Sequence, residues 1–504
     1  MRVLIFGLAL CSAAWLAHGE TAATQGRAMS LQDCIQQALE HNLELRIERY
    51  NPQLALYGLK AGYGAYDPLF GASGQHDYAK SGDALFQGSF ILPGRETDTD
   101  TLGSSLTGLL PWGTTYDLSA RVTDTDGTRF DVDTNFVVFP VPYSTSSGSV
   151  SLGVVQPLVK DFWLNPTRLN IAVLKNRMKW TDLGLRLRII DIVTRVELAY
   201  YDVKAGYENV KVQQSAVGLA ERLLAENKKR VEVGTLAPLD EKQSEAQVAA
   251  RQADLIAAQR NLAVLDNVLK QLLTDNFANW RDVSLELSGT LDAELQLFNL
   301  QDSWSKGLSL RPDFLQVKLD LERQGIQVKI NRNELYPQVD LKAGGGYAGS
   351  TAEFSGVFGD IERRDQPFYY FGGALSYPLG NRAARNNYKA GKAQYEVSQL
   401  ALKKLEQDIM IQIDNAIKLA QANYERVGAT RKAREYAEAA LAAEQKKLES
   451  GKSTSFFVLQ LQRDVTAAQS DEIGALVQYK RSLAQLAQSE GTTLERHGVN
   501  LEVK

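Results

Sequence analysis

The chain has 504 residues, 44% of them hydrophobic and 23% charged, with a formal net charge of −4. That length allows several domains and a large buried core, and the near-even balance of charge argues against a nucleic-acid partner. Past the first residues no stretch approaches the ~20 consecutive apolar residues of a spanning helix, so a membrane segment of this chain has to be made of strands.

Met1–Gly19 carries Arg2 in a short basic start, an apolar run from Val3 to Leu16 and a small-residue site at Ala17-His18-Gly19. This reads as a secretory signal, and the mature chain is exported. Cys11 lies inside the signal, and Leu10 is too bulky to precede a lipidated cysteine, which argues against a lipid anchor. Cys34 then stands alone, and one thiol forms no intrachain disulfide, so packing must hold the fold together.

Ile35, Leu39, Leu43 and Ile47 recur at near-helical spacing, with Ser30 as N-cap and Asp33 completing a box-like start, so a helix is expected over 30–62. From Asp67 to about Val159 the helical period stops and Gly, Thr, Ser and aromatics dominate. Alternation at Tyr116–Val122 and Ser149–Val154 marks strands, while the polar stretches Ala79–Thr101 and Thr125–Ser147 are expected as long loops. Pro111-Trp112-Gly113-Thr114 centres an extra hairpin over Thr101–Asp126, lying either in a barrel wall or folded outside it. A long helix follows over about 167–233, where Leu185, Ile189, Ile192, Val196, Ala199, Val203, Val210, Val217, Ala220 and Leu224 form a 4,3 heptad seam. Gly234 and Pro238 end it, and Asp240 starts a returning helix to about Leu273. At 1.5 Å per residue the long arm measures about 100 Å and the return about half of that.

The second half repeats this plan. Leu31, Gln32, Asp33, Leu39 and Pro68 recur as Leu300, Gln301, Asp302, Leu308 and Pro337, all at an offset of 269. Helices are expected over 300–332, 382–449 and 455–489, with strands near Gln338–Tyr347 and Tyr369–Tyr377 around one loop. A period this long means two subdomains around a pseudo-axis and not a solenoid. The domain boundaries are signal peptide 1–19, first repeat 20–273, inter-repeat segment 274–299 with Trp280, second repeat 300–489 and C-terminal tail 490–504. The fold class is α+β, with long helical hairpins and membrane strands. Roughly four to six strands per chain fall short of the eight of the smallest membrane barrel, and open edges are costly in lipid, so closure must be oligomeric. Three chains would supply twelve or more strands.

The Leu31-to-Leu39 start, the proline after the first helix, the Gln156-Pro-Leu and Tyr377-Pro-Leu runs, the Val233-Gly-Thr turn and the order of elements resemble the TolC family of outer-membrane efflux channels. The resemblance covers essentially the whole mature chain. It implies a TolC-like duplicated protomer in a homotrimer: a transmembrane β-barrel in the outer membrane and a periplasmic α-barrel, closed at its tip until a periplasmic adaptor (membrane fusion) protein and an inner-membrane pump engage. The function it implies is a passive trimeric duct of a tripartite efflux or type I secretion system, bathed in outer-membrane lipid. The alternative is an adaptor-like coiled-coil structural protein of an export complex, though that needs only one hairpin and an inner-membrane anchor.

The resemblance also places the entrance at the two hairpin turns, at Gly234, Thr235 and Asp240 in the first copy and Gly451, Ser453, Phe456, Phe457 and Gln460 in the second. Asp240 occupies the position of a gating aspartate, and is equally a candidate helix N-cap. Ser453, Phe457 and Gln460 stand where an arginine and two aspartates form acidic rings in the best-known members, so a gate built from Phe456 and Phe457 is the other reading. Lys228, Lys229, Arg230, Lys446 and Lys447 precede the turns, as adaptor contacts or as ordinary cations near helix C-termini. Gly344–Gly349 satisfies a dinucleotide pattern, but no amphipathic helix is expected after it and tight strand packing explains it better. His18, His41, His76 and His497 are far apart and suit surface or loop roles, so no metal, cofactor or catalytic site is expected. The aromatics Phe70, Tyr78, Trp112, Tyr116, Tyr347 and Phe368–Phe371 cluster in the strand segments and are expected as interfacial girdles.

Overall fold

The computed structural model describes residues 26–86, 90–134 and 137–499; the signal read from Met1–Gly19 lies outside them. In chain order the elements are β1 (Gly26–Met29), α1 (Leu31–His41), α2 (Leu43–Glu48), α3 (Tyr50–Tyr63), β2 (Leu69–Lys80), β3 (Ala84–Phe86), β4 (Phe90–Leu92), β5 (Glu96–Leu109), β6 (Thr115–Val132), β7 (Val138–Pro157), α4 (Pro166–Glu232), α5 (Pro238–Leu273), β8 (Ser284–Leu287), α6 (Leu300–Leu310), α7 (Pro312–Asn333), β9 (Gln338–Thr351), α8 (Phe354–Arg363), β10 (Gln366–Ser376), α9 (Arg382–Glu449), α10 (Ser455–Glu490) and α11 (Thr493–Arg496). The duplication is visible in their lengths: α1 and α6 have 11 residues each, α5 and α10 have 36 each, and α4 and α9 have 67 and 68. Two compact units result; of the described residues, one takes 26–46, 189–303 and 412–499, the other those within 47–188 and 304–411.

The opening helix is not continuous over 30–62. It starts as expected, with Ser30 and Asp33 in a reciprocal capping box. It then breaks at Asn42, whose extended backbone ends α1 while its Oδ1 accepts the Leu45 N–H and its Nδ2 donates to the Leu272 carbonyl. The second copy breaks at Arg311, the position matching Asn42, because the following Pro312 pushes its neighbour out of the helical region. One break is made by a side chain and the other by a ring.

In the helical unit the seam behaves as its spacing predicts. Ile192, Val196 and Val203 are fully buried, and Ile189, Val210, Val217 and Ala220 are buried with them; Leu223 takes the inward place expected of Leu224. The inter-repeat segment straps this layer. β8 pairs in parallel with β1, and Tyr200, Lys204 and Tyr207 of α4 donate to carbonyls of Leu285, Ser288 and Gly289. Tyr479 of α10 reaches the Glu294 carbonyl at 2.5 Å. Arg481 clamps Asp202 across α10 and α4 at 2.7 and 2.8 Å.

The other unit is built on one antiparallel sheet of six strands, ordered β10-β9-β7-β6-β5-β2. The loop reading of Thr125–Ser147 and much of Ala79–Thr101 is overturned. Residues 79–80, 96–101, 125–132 and 138–147 belong to strands that run on past the apolar stretch, where Thr favours the extended backbone and the antiparallel register continues without a break. β5 and β6 lie between β2 and β7, so the extra hairpin is part of the sheet; its turn is closed by Gly113 at φ 92° and by the Leu110–Thr114 and Gly113–Leu110 backbone bonds.

Register sorts the side chains onto two faces. One carries Leu102 and Leu106, Leu118 and Val122, Val150 and Leu152, with Tyr369 and Phe371 83% and 81% exposed. The opposite face carries Ser105, Ser119, Arg121, Ser149, Ser151 and Lys342. A run of about nine apolar-faced residues per strand is what a tilted membrane strand needs. Of the aromatics expected as girdles, Phe70, Tyr78, Tyr116, Tyr347, Tyr369 and Phe371 lie on the apolar face and Trp112 in the β5–β6 turn, but Phe368 and Tyr370 point to the polar face, where Tyr370 fills the space over Gly344 and Gly153. A helix does follow Gly344–Gly349, contrary to expectation; the glycines themselves sit inside β9 and accommodate packing. Among the described residues no helix is long and apolar enough to cross a membrane.

Candidate functional site: the paired hairpin tips

Both long helices end in the same way. Gly234 and Gly451 adopt φ 75° and 73°, a left-handed conformation that glycine takes without strain. The next N–H in each case reaches back to the last turn, Thr235 to the Arg230 carbonyl and Lys452 to the Lys447 carbonyl, both at 2.8 Å. Pro238 then opens α5 at its first position, and Ser455 opens α10.

The two turns are joined by one buried polar chain. Asn227, 0% exposed, donates to Ser244 Oγ at 2.8 Å and accepts from Ser455 Oγ at 3.1 Å, while Ser244 donates to the Asp240 carbonyl. The amide thus reads α5 of one hairpin and α10 of the other at once. Leu223, Leu441, Leu448, Val458, Leu459 and Val465 pack around this end, and Arg463 donates to Gln247 at 2.6 Å. None of this was singled out from the sequence, although the heptad seam continues from Leu224 to position 227.

The sequence-named residues lie on this tip with different surroundings. Asp240 is not the cap of α5: Ala237 is the N-cap, and Asp240 sits in the first turn, with no partner to its carboxylate among the described residues. Phe456 and Phe457, 61% and 53% exposed, touch edge to face at 5.7 Å, and Gln460 is exposed one turn later. Ser453 donates to Glu444 at 2.5 Å, so it is tied to α9; Lys447 and then Ser453 hold the Glu444 carboxyl below its ordinary range. Of the basic cluster, Lys228 faces Glu241 and Glu245, Arg230 reaches the Leu448 carbonyl and Lys447 pairs with Glu444, which leaves Lys229 and Lys446 exposed.

The histidines do not converge, and among the described residues no group of acidic, His or Cys side chains is placed to hold a metal. His497 corrects its surface reading. Its side chain is buried and its Nε2 lies 3.0 Å from Oε2 of the fully buried Glu197, with Arg496 at 3.6 Å.

Long paired hairpins in one unit and a sheet with one lipid-compatible face in the other define a membrane duct subunit. The chain belongs to the outer membrane efflux protein family, whose model matches residues 138–274 and 304–492. Solved structures of similar fold include the Campylobacter jejuni CmeC outer membrane channel, at 14% identity and TM-score 0.65 over 94% of this chain and 90% of that one. VceC from Vibrio cholerae matches at 17% identity and TM-score 0.66 over 92% and 96%. The open state of the Neisseria gonorrhoeae MtrE channel matches at 16% and 0.63 over 92% and 89%. No curated protein matches by sequence. The fold is TolC-like, and the protein is an efflux protein of the outer membrane. Its family is one of channels and not of enzymes.

Proposed function

We propose that three copies form a passive duct without chemistry of its own, built from repeats 20–273 and 300–489 joined by 274–299, and that the paired tips are its gate and the contact for a periplasmic adaptor and an inner-membrane pump. The observation that carries this is the tip itself. Two glycine-capped turns are locked together by Asn227, and they present an unpartnered Asp240 carboxylate and the Phe456–Phe457 pair on the outside. A lone chain has no use for exposed aromatics there, whereas six such turns around one axis make a constriction.

Single-channel conductance of purified protein in planar bilayers tests the gate. If Asp240 bonds to a neighbouring copy in the closed state, Asp240→Ala shifts the population toward open and raises conductance, and Phe456→Ala with Phe457→Ala widens the opening further. A triple variant with unaltered conductance and unaltered stability puts the gate elsewhere. His41→Ala and His76→Ala leave export intact, and loss of export in a folded, inserted histidine variant ends the reading of a duct without chemistry.

A further inference from the structure

Helix α8 does not protrude as a loop would. A Cβ on Gly148 would come 2.6 Å from Val357 Cγ1, and a Cβ on Gly349 would come 2.8 Å from the Asp360 Cβ, so the helix is laid directly on β7 and β9. Gly148 pairs with Gly349 and points to the same side as Val150, Leu152 and Tyr347. The helix therefore lies on the lipid-compatible face. Since β7 and β10 run on toward the long helices at their other ends, α8 sits at the outward end, just past the apolar band.

Its rotation about its own axis is also determined. A Cβ on Gly356 would meet the Thr351 side chain at 2.8 Å, and Thr351 lies two positions further outward than Gly349. At about 100° per residue, Gly356 and Phe358 occupy opposite flanks of Val357. Gly356 faces outward, so Phe358, with Phe354 beside it, faces back toward the apolar band. The two rings meet edge to face at 5.4 Å and are 52% and 40% exposed. Arg363 holds Asp360 and Asp365, and Arg364 places its guanidinium 5.7 Å from the ring of Tyr347 at the edge of the band.

We propose that α8 is an interfacial foot, its Phe354–Phe358 flank bedded in the acyl-chain boundary of the outer leaflet, so that the barrel grips the membrane from outside its wall. Helices that lie in the interface plane have this division, aromatic toward the chains and charged toward water. Continuity with the lipid-facing sheet names the occupant. The proposal rests on the orientation of the sheet in the membrane.

The test uses the full chain in phosphatidylcholine vesicles, with an environment-sensitive fluorophore on Phe358→Cys. The natural Cys34 is buried and does not compete. Labels at Tyr369→Cys, on the apolar band, and at Asp131→Cys, near the end of β6, serve as lipid and water references. The label at 358 is expected to emit at shorter wavelength than that at 131 and to be quenched by nitroxide-bearing lipid as strongly as that at 369. Quenching by iodide equal to that at 131 overturns the proposal, and so does protection from both quenchers, which means that a neighbouring copy covers the flank. If 369 is not quenched by lipid, the sheet orientation has failed. Phe354→Cys repeats the measurement should the 358 label prevent folding.

Discussion

At the scale of single residues, burial decides chemistry. Cys34 is fully buried, and burial, aided by the nearby Asp33 charge, pushes its thiol up to about 12. The folded chain keeps it neutral where the unfolded chain ionises. Its stabilising contribution is therefore complete below the unfolded value of about 9 and is lost as pH rises from there toward 12. Native protein at pH 8 is expected to resist iodoacetamide by mass spectrometry, and unfolded protein to react; alkylation at equal rates in both refutes the burial. Glu197 offers a second case. Its carboxyl group is enclosed, with His497 Nε2 at 3.0 Å and the Arg496 guanidinium at 3.6 Å. His497→Ala strips a partner from a buried charge and should cost on the order of 3 kcal/mol, whereas Glu197→Gln removes the charge itself and should cost less. Melting temperatures that fall equally for both contradict this account. Neither feature was readable beforehand, because a C-terminal histidine 300 residues from its partner carries no local signal.

At the scale of elements, much was legible and the misses have physical causes. Helices α4, α5, α9 and α10 end within a residue or two of their expected bounds because Gly234, Pro238, Gly451 and Gly491 punctuate them. The strands run longer than their sequence pattern predicts, because their outer parts carry polar residues on both faces and no clear apolar alternation. In β6 and β7, Thr and Ser alternate on the ladder well past the apolar band, where water replaces lipid and the pattern loses its apolar member. The tip residues follow from the family resemblance, whereas the amide that joins the tips is one polar residue among many and carries no local signal. Asn227→Ala would leave the Ser244 and Ser455 hydroxyls without their partner, at a cost of about 1–3 kcal/mol. Amide exchange at 233–240 and 451–457 is then expected to speed up while that of β6 and β7 stays unaltered. Faster exchange in both regions would mean that the amide supports the whole fold and not the tip.

At the scale of the whole molecule, the edges of the sheet determine its partners. β2 and β10 end the six-stranded order, with twelve and eleven residues. Every neighbouring pair between them is antiparallel, so the two edges run in opposite directions. An unpaired edge in lipid costs several kcal/mol per group, and six strands are too few to close on themselves. The β2 edge of one copy therefore fits the β10 edge of the next, antiparallel and of matched length. We predict that three copies close eighteen strands and not twelve, because β5 and β6 enlarge the first repeat's share. With strands about 4.8 Å apart and tilted about 40°, that is a wall of about 36 Å diameter against about 24 Å for twelve. Disulfide scanning of Ser73→Cys against each of positions 370–374 in turn is the direct measurement. A ladder ending at trimer on a denaturing gel is expected from one or two of these pairs. A cross-link confined to single chains, or a ladder ending at two or four copies, rules out the eighteen-stranded wall.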